Sequence, residues 1–154
     1  MTPIASVSML IRAPTPDVFN AFLDPAMLTR FWLAHASAPL GEGKSATWEF
    51  MVPGVIVETR VREMVQNRRL VLEWPGDETA EIALQQRADG TTHIEITSAI
   101  KGKTAEDAVA SAIEATQGYT LVVSNLKVLL ETGKSASLVE DKAVLIVEKQ
   151  SEND

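Results

Sequence analysis

Between residues 44 and 100 the chain alternates apolar and polar side chains in short runs, and from 105 to 131 the alternation gives way to a helical stripe. That order leaves few architectures open: a curved antiparallel sheet, with one long helix laid across it. Runs at about 44 to 51, 55 to 64, 69 to 74, 79 to 87 and 90 to 100 read as strands. Pro53-Gly54, Gln66-Asn67, Pro75-Gly76 and Asp89-Gly90 separate them as turns. Residues 4 to 12 read as a first strand. Two short helices follow, one opened by Pro14-Thr15-Pro16-Asp17 with Thr15 as cap, the other by Asp24-Pro25 and running to about Leu33.

The long helix carries its own boundary signals. Thr104 precedes Glu106 and Asp107 at capping-box spacing, and acids in a first turn suit the positive end of the helix dipole. Val109, Ile113, Thr116, Tyr119, Val123, Leu126 and Leu130 recur at three- and four-residue steps, with Ala112, Val122 and Leu129 widening the stripe. Gly133 is the stop. At about 1.5 Å per residue the segment spans roughly 40 Å, enough to cross a small domain. Gly118 interrupts it at a cost of about 1 kcal/mol relative to alanine. Either the helix packs closely against a strand or kinks mildly there, or it leaves room beneath for a ligand.

Alternation assigns the two faces of the sheet. Trp48, Phe50, Val57, Val61, Leu70, Leu72, Trp74, Ile82, Leu84, Ile94 and Ile96 share the inward parity. Glu49, Glu58, Arg60, Arg62, Glu73, Glu81, His93 and Glu95 share the other, which reads as a solvated convex face.

Composition excludes several chemistries. The chain has 154 residues, no cysteine and a formal charge of -7. One domain of that size buries a core without staples. Disulfides and thiolate chemistry are ruled out, and a nucleic-acid partner is not expected of so acidic a chain. The N-terminus lacks a basic, apolar leader, and no run approaches the roughly 20 apolar residues of a membrane span, so the expected location is cytoplasmic. Ala38-Pro39-Leu40-Gly41-Glu42-Gly43-Lys44-Ser45 matches a permissive phosphate-loop pattern. That chemistry needs a strand before the loop and a helix after it, whereas here a helix is expected before and a strand after.

Acid-base groups are scarce. His93 falls on the charged outer face; His35 follows the second short helix, where it either rims a cavity or caps that helix. Neither histidine has metal-ligand spacing to another, and no inward carboxylate pair is expected. Ser98, Thr59 and Thr92 point inward without an adjacent base. No catalytic set, metal or cofactor is therefore assigned.

The layout resembles the helix-grip fold of the START-like (SRPBCC) superfamily, an α+β architecture of about six antiparallel strands wrapped around a long C-terminal helix. Within it the chain is similar to the family named for homology to the activator of the heat-shock-protein-90 ATPase. Ala13-Pro14, Val18 to Pro25, Leu28, Phe31-Trp32, Glu73-Trp74, Gly118-Tyr119, Leu126 and Leu130 to Gly133 carry the likeness. Two departures stand out: tyrosine at 119, where the family usually has tryptophan, and a tail beyond 133. The resemblance implies a fold and a cavity between sheet and helix, and supplies no invariant catalytic residues.

Three functions follow as hypotheses. The first is binding of a small apolar or amphipathic ligand at Trp32, His35, Trp48, Phe50, Trp74, Ile94, Ile96, Gly118, Tyr119 and Val122. The second is a protein-interaction or co-chaperone-like role, to which a chain lacking the eukaryotic activator's additional N-terminal region lends little support. The third is a cyclase- or hydratase-type enzyme, against which the scarcity of inward ionisable groups argues. Residues 1–133 are expected to form the domain. In the tail, Lys134 to Ser137 read as a linker, Ala143 to Val147 as an edge strand or short helix docked on the domain or on a second copy in a homodimer, and Gln150 to Asp154 as floppy.

Overall fold

The computed structural model describes residues 2–102 and 104–153. Seven antiparallel strands form one sheet, joined in the order β1-β7-β6-β5-β4-β3-β2. They are β1 (Ile4–Ile11), β2 (Leu33–Ala36), β3 (Ser45–Phe50), β4 (Ile56–Val65), β5 (Arg69–Trp74), β6 (Glu78–Gln86) and β7 (Thr92–Ala99). Helices α1 (Thr15–Ala21) and α2 (Pro25–Phe31) lie between β1 and β2, while α3 (Ala105–Thr132) and α4 (Leu138–Glu152) close the chain.

The strand absent from the sequence reading is β2. The second helix ends at Phe31 rather than Leu33, and Leu33 turns straight into an edge strand pairing with β3. Four residues with one buried at each end carry too little alternation to announce themselves. Thr15 is a second correction. Pro14 occupies the cap position without a side-chain bond, and the buried Thr15 hydroxyl instead meets that of Thr92 at 2.9 Å. Asp24 does cap α2, accepting from the Ala26 amide at 2.9 Å.

The core fills the concave side. Phe19, Phe22, Leu28 and Phe31 from the small helices meet Trp48, Leu70, Leu72, Ile82, Ile94 and Ile96 from the sheet, all essentially inaccessible. On the convex side Arg69 bridges Glu81 at 2.8 Å and Glu63 at 2.6 Å, in the solvated ladder expected there. A bulge between Val61 and Glu63 in β4 shifts the parity, so Met64 rather than Glu63 leans on the core.

Helix α3 starts as expected, Thr104 accepting from the Asp107 amide at 3.0 Å, and stops at a left-handed Gly133. Its stripe is turned from the expected one along the first half. Val109 and Ile113 face outward, and the small Ala108 and Ala112 are buried in their place. The second half, Val122, Val123, Leu126 and Leu129, packs as the periodicity implies.

Polar clasps fasten that half. Lys127 Nζ donates to the Leu10 carbonyl and to Glu131, both at 2.6 Å, and Glu131 accepts from the Arg12 amide at 3.1 Å. Burial pushes the Glu131 carboxyl up, but these donors outweigh it and hold it below the ordinary range. Arg30 reaches the Gly133 carbonyl at 3.2 Å. The fully buried Asn125 is the most connected of these groups. Its amide donates to the Phe31 carbonyl at 2.9 Å and to Glu140 at 3.1 Å, and its oxygen accepts from the Leu138 amide at 3.2 Å.

The tail is helical. After residues 134–137, α4 runs over the region expected as a docked strand or short helix and on through Gln150, Ser151 and Glu152, where the expectation is a floppy end. Asp154 lies outside the described residues. Ser137 stands left-handed at φ 56° and offers no side-chain cap, so Asn125 satisfies the first amide of α4.

Asn125→Ala strands the Phe31 carbonyl and the Leu138 amide. A loss of about 1–3 kcal/mol is expected in denaturant unfolding, with α4 amides exchanging hydrogen ahead of those in β5 and β7.

Candidate functional site

A straight helix over a curved sheet touches it at one end and parts from it at the other. The C-terminal half of α3 closes on the core. Below Ser111, Ala115, Gly118 and Tyr119 the two surfaces separate, leaving a cavity of about 590 Å³. That volume lies within the range of small-molecule sites.

Its floor is aromatic. Trp32, Phe50 and Trp74 line it from the C-cap of α2, from β3 and from β5, and Tyr119 closes it from α3. Trp32 is the hub of this group, with ring centres 5.1 Å from Trp48, 6.1 Å from Phe50, 6.1 Å from Phe22 and 6.4 Å from Tyr119, all edge-on. Such contacts add about 0.5–1.5 kcal/mol each beyond burial. The Trp74 indole is held by a hydrogen bond to Thr59 Oγ1 at 2.8 Å. The Trp48 indole N–H, fully buried, has no partner among the described residues. The rest of the wall comes from the β3–β4 loop, through Met51, Val52 and Val55, and from α4, through Val139, Lys142, Ala143 and Ile146.

Polar groups are few. Ser98 on β7 lines the cavity and donates its hydroxyl proton to the Thr79 carbonyl at 2.6 Å. The Tyr119 hydroxyl stands beside it, with Ser98 as its hydrogen-bonding neighbour. Burial pushes that phenol up to about 12, the Ser98 hydroxyl opposes the rise, and the Glu78 carboxylate adds to it. Tyr119 is therefore protonated, a donor with the Ser98 hydroxyl oxygen beside it. Glu78, Lys101, Ser111 and Lys142 complete the polar lining.

Of the ten residues expected at the site, Trp32, Phe50, Trp74, Gly118, Tyr119 and Val122 line the cavity. Trp48, Ile94 and Ile96 sit behind it as closed core. His35 lies elsewhere: on β2, opposite Glu49, exposed and neither at the cavity nor capping α2, whose cap is Trp32. His93 is on the outer face opposite Gln85. Glycine at 118 answers to room rather than close approach, because a Cβ built there meets nothing within 4 Å. The phosphate-loop lookalike is preceded by β2, not by a helix, and Ser45 opens β3, so no helix N-terminus is present to receive a phosphate. Sequence reasoning missed the β3–β4 loop and α4 as walls. The apolar run Ala143 to Val147 was the available signal, since it marks a surface in need of cover. No cluster of three or more potential metal-ligating side chains occurs among the described residues, and no helix among them is long and apolar enough to cross a membrane.

The chain belongs to the family described as Activator of Hsp90 ATPase homolog 1-like protein, whose model matches residues 12–131. No curated protein matches it. Among solved structures it is similar to protein SSP2350 from Staphylococcus saprophyticus, at 23% identity and a TM-score of 0.74, covering 86% of this chain and 94% of that one. DynU16, from the dynemicin biosynthetic locus, matches at 22% identity and a TM-score of 0.74 over 86% of this chain, which spans about half (49%) of that protein. The Aha1 dimer from Colwellia psychrerythraea matches at 16% identity and a TM-score of 0.73, covering 86% and 98%. These likenesses establish the helix-grip fold.

Two glycines should respond in opposite directions to the same substitution. Gly118→Ala gains helix propensity in open space, and an increase of up to about 1 kcal/mol in unfolding free energy is expected. Gly102→Ala would place Cβ 2.6 Å from the Ala108 amide nitrogen; overpacking of that kind costs about 1–3 kcal/mol. Parallel thermal melts of the two variants check both signs.

Proposed function

We propose that this protein binds a small apolar or amphipathic molecule in the cavity between its sheet and α3. The observation that carries this reading is the cavity itself: about 590 Å³, floored by Trp32, Phe50 and Trp74 and opened by a glycine on a helix that would be more stable without it. Hydrolytic or cyclising chemistry finds less support. Tyr119 is held protonated, and the carboxylate near it, Glu78, has no histidine beside it in the lining.

Native mass spectrometry of freshly purified protein tests the reading directly. An adduct of a few hundred daltons, or saturable uptake of an added aromatic compound, is expected. Gly118→Leu should be as stable as the parent and take up less, because the new side chain enters the opening. A bare mass with no uptake of lipid, polyketide-like or aromatic compounds would sink the proposal.

A second reading, self-association, is favoured by a specific surface. Ile113 on α3 and Leu145 on α4 are each more than half exposed and line one groove between the two helices. An exposed apolar surface of this kind calls for cover, and one structural neighbour is described as a dimer. Covering by a second copy predicts a dimeric mass in the same spectrum and a monomeric one for Leu145→Glu; a monomeric parent would exclude it.

A further inference from the structure

Helix α4 walls the cavity but is lightly seated. It packs on α3 and meets no strand to a comparable extent. Of its 15 residues only Ala143 is buried. Open space flanks it twice: the cavity lies under one face, and a second hollow between α3 and α4 is lined by Ile113, Thr120, Leu138 and Leu145. Leu121 and Lys142 line both spaces, so the seam between the two helices is thin there. The helix also begins outside residues 12–131, the part of the chain that the family model matches.

The stripe that α4 turns to the cavity is Val139, Ala143 and Ile146, at steps of four and three residues. Below that stripe is space, so these apolar groups lack part of their packing surface. A molecule in the cavity would supply it. Residues 134–137 join α4 to α3 between a left-handed Gly133 at φ 78° and a left-handed Ser137 at φ 56°. Polar tethers hold the first turn. Asn125 accepts from the Leu138 amide, and Glu140 accepts from the Asn125 side-chain amide at 3.1 Å and from the Ser135 hydroxyl at 3.3 Å.

We propose that α4 is a strap over the cavity, which a bound ligand fastens and whose release lets the ligand go. The proposal rests on the reading that the cavity holds a ligand. Coupling follows from shared surface: ligand and strap bury one another's apolar area, so each favours the other's docked state by the same factor. Undocking α4 breaks the thin seam with α3 and leaves the sheet intact, so it opens more readily than the domain unfolds. Residues 134–137 are the hinge. Glu140 lies outside the cavity lining and acts through Asn125, as a positioning residue for the strap.

N-phenyl-1-naphthylamine, a neutral aromatic fluorophore, is a suitable probe. In hydrogen exchange of the full chain, α4 amides should open ahead of those in β7. They should slow about tenfold when free probe stands at ten times its Kd. Stopped-flow release of the probe should be about fivefold faster from Glu140→Ala, as loss of one net hydrogen bond allows. Glu140→Gln, which can still accept from Asn125, should keep the parent rate. Unchanged α4 exchange in a protein that binds the probe overturns the strap and leaves the cavity reading standing. So does unchanged release from a folded Glu140→Ala variant. Failure of the parent to bind the probe contradicts the uptake that the cavity reading expects, and removes the strap with it.

Discussion

A rigid helix cannot follow a twisted, curved sheet along its whole length, and most of this structure is arranged around that mismatch. Where α3 is in contact, its side chains are large: Val122, Val123, Leu126 and Leu129 fill the space above β1 and the small helices. Where it departs, its side chains shrink to Ser111, Ala115 and Gly118, which widens the gap instead of filling it. A helix with leucines in those three places would collapse the space and gain roughly 1.5–3 kcal/mol for each side chain fully buried. The chain forgoes that stability along one stretch of one face. The resulting void is a feature of the side-chain sizes chosen, not only of the backbone geometry.

Holding a helix over a void puts the load on its other end. Lys127, Glu131 and Asn125 are grouped in the last two turns or so of α3, and between them they satisfy the Leu10 and Phe31 carbonyls and the Arg12 and Leu138 amides. These backbone groups lie in or just after β1, in α2 and in α4, so the helix is pinned to three elements at once. Unmet, the buried Phe31 carbonyl alone would cost about 1–3 kcal/mol. The depressed Glu131 carboxyl links this clasp to pH. Its contribution is present above the carboxyl's unfolded value and is lost as the pH falls through the folded one.

Much of this architecture could be read in the residues, and what could not has identifiable causes. The strands were legible because one face is core and the other a ladder of charge, which makes period two unmistakable. β2 was not, since Leu33 to Ala36 is short and follows a helix without a breaker. The direction of α3 was misjudged by about one position over its first half because Val109 and Ile113 outweigh Ala108 and Ala112 in any apolar count; in a helix that stands off its sheet, small residues mark the inner face. Phe50 and Trp74, which line the cavity, share a parity readable in the strands, whereas its loop and α4 walls carry no such signal. Trp48, Ile94 and Ile96 share the parity of Phe50, and parity cannot distinguish a residue that lines a void from one that seals the core behind it. His35 was misplaced by the missing strand alone.

The cavity has two walls of different stiffness. Trp32 cannot tilt without disturbing Phe22, Trp48, Phe50 and Tyr119 together, so a ligand resting on it meets a surface already in place. The opposite wall is α4, which packs chiefly on α3, buries only Ala143 and follows a linker with a left-handed Ser137. Little apolar area resists its displacement, and Asn125 is its main tether. The rigid wall and the lightly packed one are thus separate elements. Tyr119 and Ser98 belong to α3 and β7, which are part of the packed sheet-and-helix body rather than of the tail.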